Sequence, residues 1–171
     1  MVEVLNYSNW TIFFRNPSND NNSPRVIIYI NVRLSSFRFF LWKDIFNHRN
    51  VSCISFFNCS SVYSLINICL DSSQTALKYL KDTKADISNV LIMTGDFNIR
   101  DNIWDLNFLY HFIYNDLLIN VADTMNLELP KSTNQVSTRY SDNHQDSNLV
   151  IDLMFLKPDS LEYNNNFIYS D

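Results

Sequence analysis

Glycine is nearly absent: Gly95 is the single copy in 171 residues, where a usage of roughly 7% would supply about a dozen. Cysteine is scarce as well. Cys53, Cys59 and Cys69 form no C-x-x-C pair, and three thiols cannot all be bonded to one another within one chain. That argues against a disulfide framework and for buried thiols in a reducing compartment. No apolar run reaches the roughly 20 residues of a membrane span, so no membrane partner is expected. The opening stretch Met1-Val2-Glu3-Val4-Leu5-Asn6 lacks the basic flank and apolar core of a signal peptide, which points to an intracellular chain that is not secreted. An excess of basic residues is missing too. The net charge is −5, without the basic stripe of a typical nucleic-acid binder. This does not exclude a nuclease, because a carboxylate-rich metal site brings negative charge of its own and a bound cation offsets part of it.

What is abundant is apolar surface. Hydrophobic residues make up 46% of the chain and aromatics 15%, and the length suits one domain with a sizeable core. Asparagine runs such as Asn19-Asp20-Asn21-Asn22 and Asn164-Asn165-Asn166 read as loops. There is no internal repeat and no linker that would split the chain.

Taken in order, residues 1–8 show no clear pattern. Trp10 to Phe14, Arg25 to Asn31, Phe37 to Trp42, Val51 to Phe57 and Val62 to Cys69 read as strands, with a polar, Pro-bounded loop from Asn16 to Pro24. Strands at such short spacing, before any long helix, predict an antiparallel meander. Asp71-Ser72-Ser73-Gln74 reads as a helix start, the helix running from Thr75 to about Lys81 with Leu77 and Leu80 in the core. A longer helix is expected over Tyr114 to Met125, where Leu117, Leu118, Val121, Ala122 and Met125 share one face at helical period. Pro130 to Asn148 reads as an exposed polar loop, followed by a strand over Val150 to Leu156.

The stretch with chemistry in it is Val90 to Asn98. Val90 to Met93 reads as a buried strand. It ends at Gly95, directly before Asp96, with Phe97 and Asn98 following. Glycine supplies positive φ or lets another group approach the backbone closely. If extended geometry continues past Gly95, the Asp96 carboxylate and the Asn98 amide leave on the same face, at a strand end of the kind where α/β sheets hold ligands. By residue type alone, Gly-Asp-Phe-Asn equally suits a turn that closes a core strand.

Thr94-Gly95-Asp96-Phe97-Asn98 resembles the signature strand end of the endonuclease/exonuclease/phosphatase family, and Val150-Ile151-Asp152-Leu153-Met154-Phe155-Leu156 is similar to that family's Ser-x-Ile-Asp strand. The resemblance runs from about residue 9 to residue 156. It looks closest to the apurinic-endonuclease-like domains of non-LTR (LINE-type) retrotransposons, to which Asn67-Ile68-x-x-Asp71-Ser72-Ser73 is also similar. It implies an α/β fold, a four-layer α/β sandwich of two packed sheets with outer helices, here incomplete at both ends. It implies a DNA partner, a Mg²⁺ (or Mn²⁺) cofactor and a nuclear location if the domain functions.

The resemblance also implies roles. Asp96 would orient and deprotonate the attacking water, and Asn98 would hold a phosphate oxygen without repelling it. Asp152 would pair with a histidine of a C-terminal Ser-Asp-His motif and favour its cationic form. Asn67 and Arg139 would contact substrate. Four departures bear on activity. No N-terminal segment matches the family's metal-binding glutamate; Glu3 is the one glutamate in residues 1–50 and lacks the expected strand context, so the metal ligands are unassigned. Cys69 stands where a phosphate-contacting tyrosine is expected, and Leu149 where the serine is. Ser170-Asp171 closes the sequence with no histidine after it. His48 and His111 offer no replacement, and the cluster Asp142-Asn143-His144-Gln145-Asp146 lacks the spacing of an EF-hand and reads as a solvated loop. The expected function is a Mg²⁺-dependent endonuclease domain that nicks DNA for retrotransposition, impaired in this truncated form and with the ion weakly held. Alternatives are a non-catalytic remnant of that domain and a phosphatase of the same superfamily.

Overall fold

The computed structural model describes residues 2–7, 9–15, 25–34, 37–41, 46, 48–58, 61–84, 86–104, 113–130 and 152–158. The expected meander is there, divided between two sheets. β1 (Val2–Tyr7), β2 (Trp10–Arg15) and β3 (Ile27–Asn31) form an antiparallel three-stranded sheet in that order. A 3-10 turn over Val32–Leu34 ends it. β4 (Arg38–Leu41), β5 (Val51–Asn58) and β6 (Ser61–Cys69) then open a second sheet, again antiparallel. The chain leaves β6 through helix α1 (Thr75–Asp82) and returns as β7 (Val90–Asp96), parallel to β6. After α2 (Ile113–Thr124), β8 (Asp152–Leu156) pairs antiparallel with β7, closing the order β4-β5-β6-β7-β8.

Two corrections follow. Residues 2–7, patternless in sequence, form a strand, and Glu3 sits within it opposite Phe14. Pairing with β2 supplies the order that the side-chain sequence does not announce. The second correction is at β7, which continues through Gly95 to Asp96 instead of stopping at the glycine.

Alternation sorts the five-stranded sheet into two faces. Val51, Cys53, Ile66, Ile68, Met93, Leu153 and Phe155 point to the helices and meet Ala76, Leu77 and Leu80 of α1 and Leu118, Val121 and Ala122 of α2 in one core. Each Val, Ile, Leu, Met or Phe among them, fully buried, contributes about 1.5–3 kcal/mol. The other face carries Ile54, Leu65, Phe39 and Leu41, which pack on Phe13, Ile28 and Ile30 of the smaller sheet. The aromatic excess concentrates here: Phe37, Phe39, Phe56 and Tyr63 form a chain of tilted and edge-on rings, with Phe13 against Phe39. Among the described residues the layers are therefore sheet, sheet and helices. The outward face of the smaller sheet exposes Trp10, Ile27 and Tyr29. Among the described residues no helix covers that side, so the α/β sandwich they form is incomplete there.

The helix ends are fastened in different ways. Asp71 accepts a hydrogen bond from the Thr75 N–H (3.0 Å) at the start of α1. Asn126, with φ 55, turns the chain after α2 while the Leu127 N–H returns to the Ala122 carbonyl at 3.0 Å, the left-handed ending for which asparagine is second only to glycine. No described helix is long and apolar enough to cross a membrane.

Candidate active site

β6 and β7 make the parallel pair of the five-stranded sheet, and ligands of open α/β sheets gather outside the carboxyl ends of such strands. Gly95 is what lets the two strands meet at that end. It pairs with Ile68, has φ +149, and a Cβ built on it would lie 1.8 Å from the Ile68 carbonyl oxygen. The close approach that the glycine permits is thus made by a neighbouring strand.

One residue further on, the register runs Cys69, Asp96, Asp152 across β6, β7 and β8. Ile68 and Leu153, their neighbours, belong to the helix-side core. The row of Cys69, Asp96 and Asp152 therefore lies on the opposite face. Asp152 is directly across from Asp96, a spacing of about 4.5–5.5 Å between Cβ atoms in antiparallel pairs. Asp96 is half-buried and Asp152 exposed.

Asn98 reaches this region by a different route from the one expected. The chain does not stay extended: Asn98 has φ 49, and its N–H donates to Asp96 Oδ1 at 3.1 Å. The aspartate closes a turn on its own backbone, leaving Phe97 buried and Asn98 exposed. Phe97 anchors the turn edge-on against Phe155. The loop beyond is fastened from below. Asp101 accepts from the Ile103 N–H at 2.8 Å and from the Asn115 amide of α2, and the Trp104 indole N–H donates to the Ile99 carbonyl at 3.2 Å.

Asn67 lies one pair back along β6, opposite Thr94, and its amide donates to the Ile27 carbonyl of β3 at 3.4 Å. In this structure it joins the two sheets. Arg139, the loop 131–148, Leu149, His111 and His144 lie outside the described residues, and nothing is assigned to them. Cys53 is buried, and burial pushes its thiol up to about 12; it is a packing residue with little thiolate at neutral pH. Cys69 is half-buried beside Asp96.

The carboxyl ends of β6 and β7 open into a cavity of about 500 Å³, lined by Leu70, Asp71, Ser72 and Gln74 after β6, Phe97, Asn98 and Ile99 after β7, and Arg25 ahead of β3. Arg25, Ser72 and Gln74 are the residues that sequence reasoning missed. The first was read as a strand start, the others as a helix start, and no local pattern says that the two segments share a wall.

Asp71 organises the β6 side of this cavity. Its carboxylate accepts from the Thr75 hydroxyl (2.6 Å), the Thr75 N–H and the Asn50 amide (3.0 Å). Desolvation works to raise its pKa, but the Thr75 and Asn50 hydrogen bonds and the positive field of His48 together hold it below the usual 3.8. A carboxylate depressed in the folded state adds stability above its unfolded pKa and gives it up as pH falls through the folded value. Asp71→Ala is therefore expected to lose about 1–2 kcal/mol near pH 7, the scale of the hydrogen bonds to Thr75 and Asn50 that it gives up. The gap to the unmodified protein should shrink below about pH 4. Urea unfolding at pH 7 and pH 3 measures both.

No family model and no curated protein matches the sequence. Among solved structures, the fold is similar to the endonuclease domain of TRAS1, a telomere-specific non-LTR retrotransposon. The TM-score is 0.58 and the identity 14%, over 74% of this chain and 58% of that one. The chain thus spans a little over half the length of that domain. A protein from Sphaerobacter thermophilus described as an acetyltransferase aligns at a TM-score of 0.28 and 12% identity, over 92% of this chain and 98% of that one; a likeness that low carries no argument. The similarity to the endonuclease domain is one of fold.

Proposed function

We propose that this chain is the core of a DNA endonuclease domain of the retrotransposon type, hydrolysing a phosphodiester with Mg²⁺ or Mn²⁺, and that its activity is reduced. The observation that carries the reading is the placement of Asp152 directly across β7–β8 from Asp96, at the carboxyl end of the parallel pair; neither acid lines the cavity, which Asn98, two residues past Asp96, does. The nuclease-like fold supports it.

The donor set suits a loosely held divalent ion. Like charges directly opposite one another in a sheet are unfavourable, and a cation beside them relieves that cost. Mg²⁺ characteristically keeps several waters and takes one or two carboxylates, which Asp96 and Asp152 can provide. Among the described residues no group of three or more His, Cys, Asp or Glu side chains converges, and two carboxylates alone would hold the ion loosely. Bound there, it supplies positive charge to the phosphoryl oxygens.

The remaining steps belong to the chain's own groups. Asp96 accepts the proton of the attacking water. Asn98 donates its amide to a non-bridging oxygen, without the repulsion a second carboxylate would bring. Cys69 sits in the row with both acids, where the resemblance expects a tyrosine. A thiol is shorter and a weaker donor than a phenol, so phosphate contact is lost at that point. This substitution, with the sparse ligand set, is the ground for the reduced activity proposed. Groups acting as a unit lose most of their effect when one is missing.

The test is nicking of supercoiled plasmid in Mg²⁺ and in Mn²⁺, with duplex DNA binding measured alongside. Slow, ion-dependent nicking is expected, falling about 100-fold or more in Asp96→Ala and rising in Cys69→Tyr. Nicking that persists in Asp96→Ala would remove Asp96 from the site. Fast nicking by the unmodified chain would refute the reduced activity, and failure to bind DNA would overturn the nuclease reading.

A further inference from the structure

The cavity at the ends of β6 and β7 is larger than a single phosphate oxygen requires, and it has an internal division of chemistry. Its floor is apolar, made by the buried side chains of Leu70, Phe97 and Ile99. Its rim carries the exposed Arg25 and Asn98. Between them stand two acceptors. One is Asp71, fixed by Thr75 and Asn50. The other is Gln74, 9% exposed, whose Oε1 has no hydrogen-bond partner. A buried polar atom left without a partner costs stability. Gln74 is also held at φ 52, a left-handed conformation uncommon for residues other than glycine, asparagine and aspartate. The chain thus keeps an amide on the wall of a cavity in a conformation that suits a smaller residue better.

We propose that this cavity receives one nucleotide of the DNA strand, the one beside the cleaved bond, with Arg25 holding its phosphate at the rim and Gln74 reading the edge of its base. The inference rests on the endonuclease reading and adds the residues that choose the base. A volume of about 500 Å³ lies within the range of pockets for small organic ligands. The apolar floor suits a base, since every base has a face that tolerates aromatic and aliphatic contact. The acceptors decide which base. A carboxylate and an amide oxygen on one wall call for a donor, and adenine, cytosine and guanine each carry an exocyclic amino group while thymine does not. A phosphate is repelled from Asp71 and drawn to Arg25, so the sugar-phosphate lies outward and the base inward.

Fluorescence anisotropy with single-stranded oligo(dC) and oligo(dT) of equal length tests this. The two differ at the base edge and share pyrimidine size, so position along the strand need not be known. The unmodified protein is expected to bind oligo(dC) about 5- to 10-fold tighter, the lower end of what one well-placed base contact provides. Gln74→Asn keeps an amide that tolerates left-handed φ but withdraws it by one methylene, and it should bring the two affinities together. Arg25→Ala, at an exposed position, should weaken both equally and lower the slope of log K against log[salt] by about one. Equal binding of the two oligonucleotides by the unmodified protein, or a preference that survives in a folded Gln74→Asn, overturns the inference and leaves DNA binding intact. An Arg25→Ala variant with unaltered affinity and salt slope overturns the rim contact. Binding to neither oligonucleotide overturns the inference, while absence of duplex binding as well overturns the endonuclease reading itself.

Discussion

Gly95→Ala is expected to prevent the protein from folding at ordinary temperature. The added methyl would meet the Ile68 backbone at three atoms: the carbonyl oxygen at 1.8 Å, its carbon at 2.7 Å and the amide nitrogen at 2.9 Å. None of these is the tip of a side chain that can swing aside. They belong to β6, the central strand of the larger sheet, so relief requires parting β6 from β7. The φ of +149 adds strain of its own for a residue with a Cβ. Steric conflict with a fixed backbone belongs among the rare substitutions that cost about 4 kcal/mol or more, against a total of about 5–15 kcal/mol for a domain. Circular dichroism and urea unfolding check the outcome. A cooperative transition within about 1 kcal/mol of the unmodified protein would mean that β6 and β7 do not pack as described.

Trp104→Ala should come next in severity. Trp104 is 0% exposed and belongs to the helix-side core, and removal of a buried tryptophan side chain typically costs about 3–5 kcal/mol. Its indole N–H also closes the loop by donating to the Ile99 carbonyl. The Ala variant therefore loses packing and frees the segment that carries Phe97, Asn98 and Ile99 along the cavity wall. Trp104→Phe retains most of the apolar volume and gives up the hydrogen bond, so it should cost less, by about 1 kcal/mol for that bond and somewhat more for the space left behind. Chemical denaturation of both variants separates the contributions. Equal stabilities for Trp104→Ala and Trp104→Phe would show that the ring's bulk is not what the loop depends on.

Much of the fold is legible in the sequence because its elements are long enough to show a period. The strands from Trp10 to Cys69 fall close to their expected places, as do both helices, with Leu118, Val121 and Ala122 on the buried face of α2. β1 is not legible, since Val-Glu-Val-Leu-Asn-Tyr has no clean two-residue alternation and takes its order from β2. The acids at 96 and 152 are visible as residues, but their pairing is not: register across strands so distant in sequence is set by the assembled sheet. The expected shared face of Asp96 and Asn98 fails because the aspartate side chain competes for the backbone N–H two residues on. Asp101 and Trp104 lie where no period marks a core position, and they anchor the loop through bonds to Ile103, Asn115 and Ile99. Gln74 and Arg25 acquire meaning only when the ends of two strands and the start of a third meet around one cavity.

The β8 strand completes the larger sheet after a long excursion of the chain. The ladders β4–β5 and β5–β6 join strands that are close in sequence, whereas β7 must wait for a segment more than fifty residues away. Contacts between distant segments form against a larger loop-closure entropy. The meander and the β6–α1–β7 unit are accordingly early structure and the docking of β8 is late. Among the described residues β8 has β7 on one side and, on the other, a single bridge from Leu156 to Glu128, so its Asp152 end is among the first parts of the sheet to separate when the protein opens locally. The facing of Asp96 and Asp152 is made at that last seam. The two acids therefore exist as a pair only in the fully assembled chain, and an incompletely folded copy, during synthesis or under stress, carries no assembled carboxylate pair.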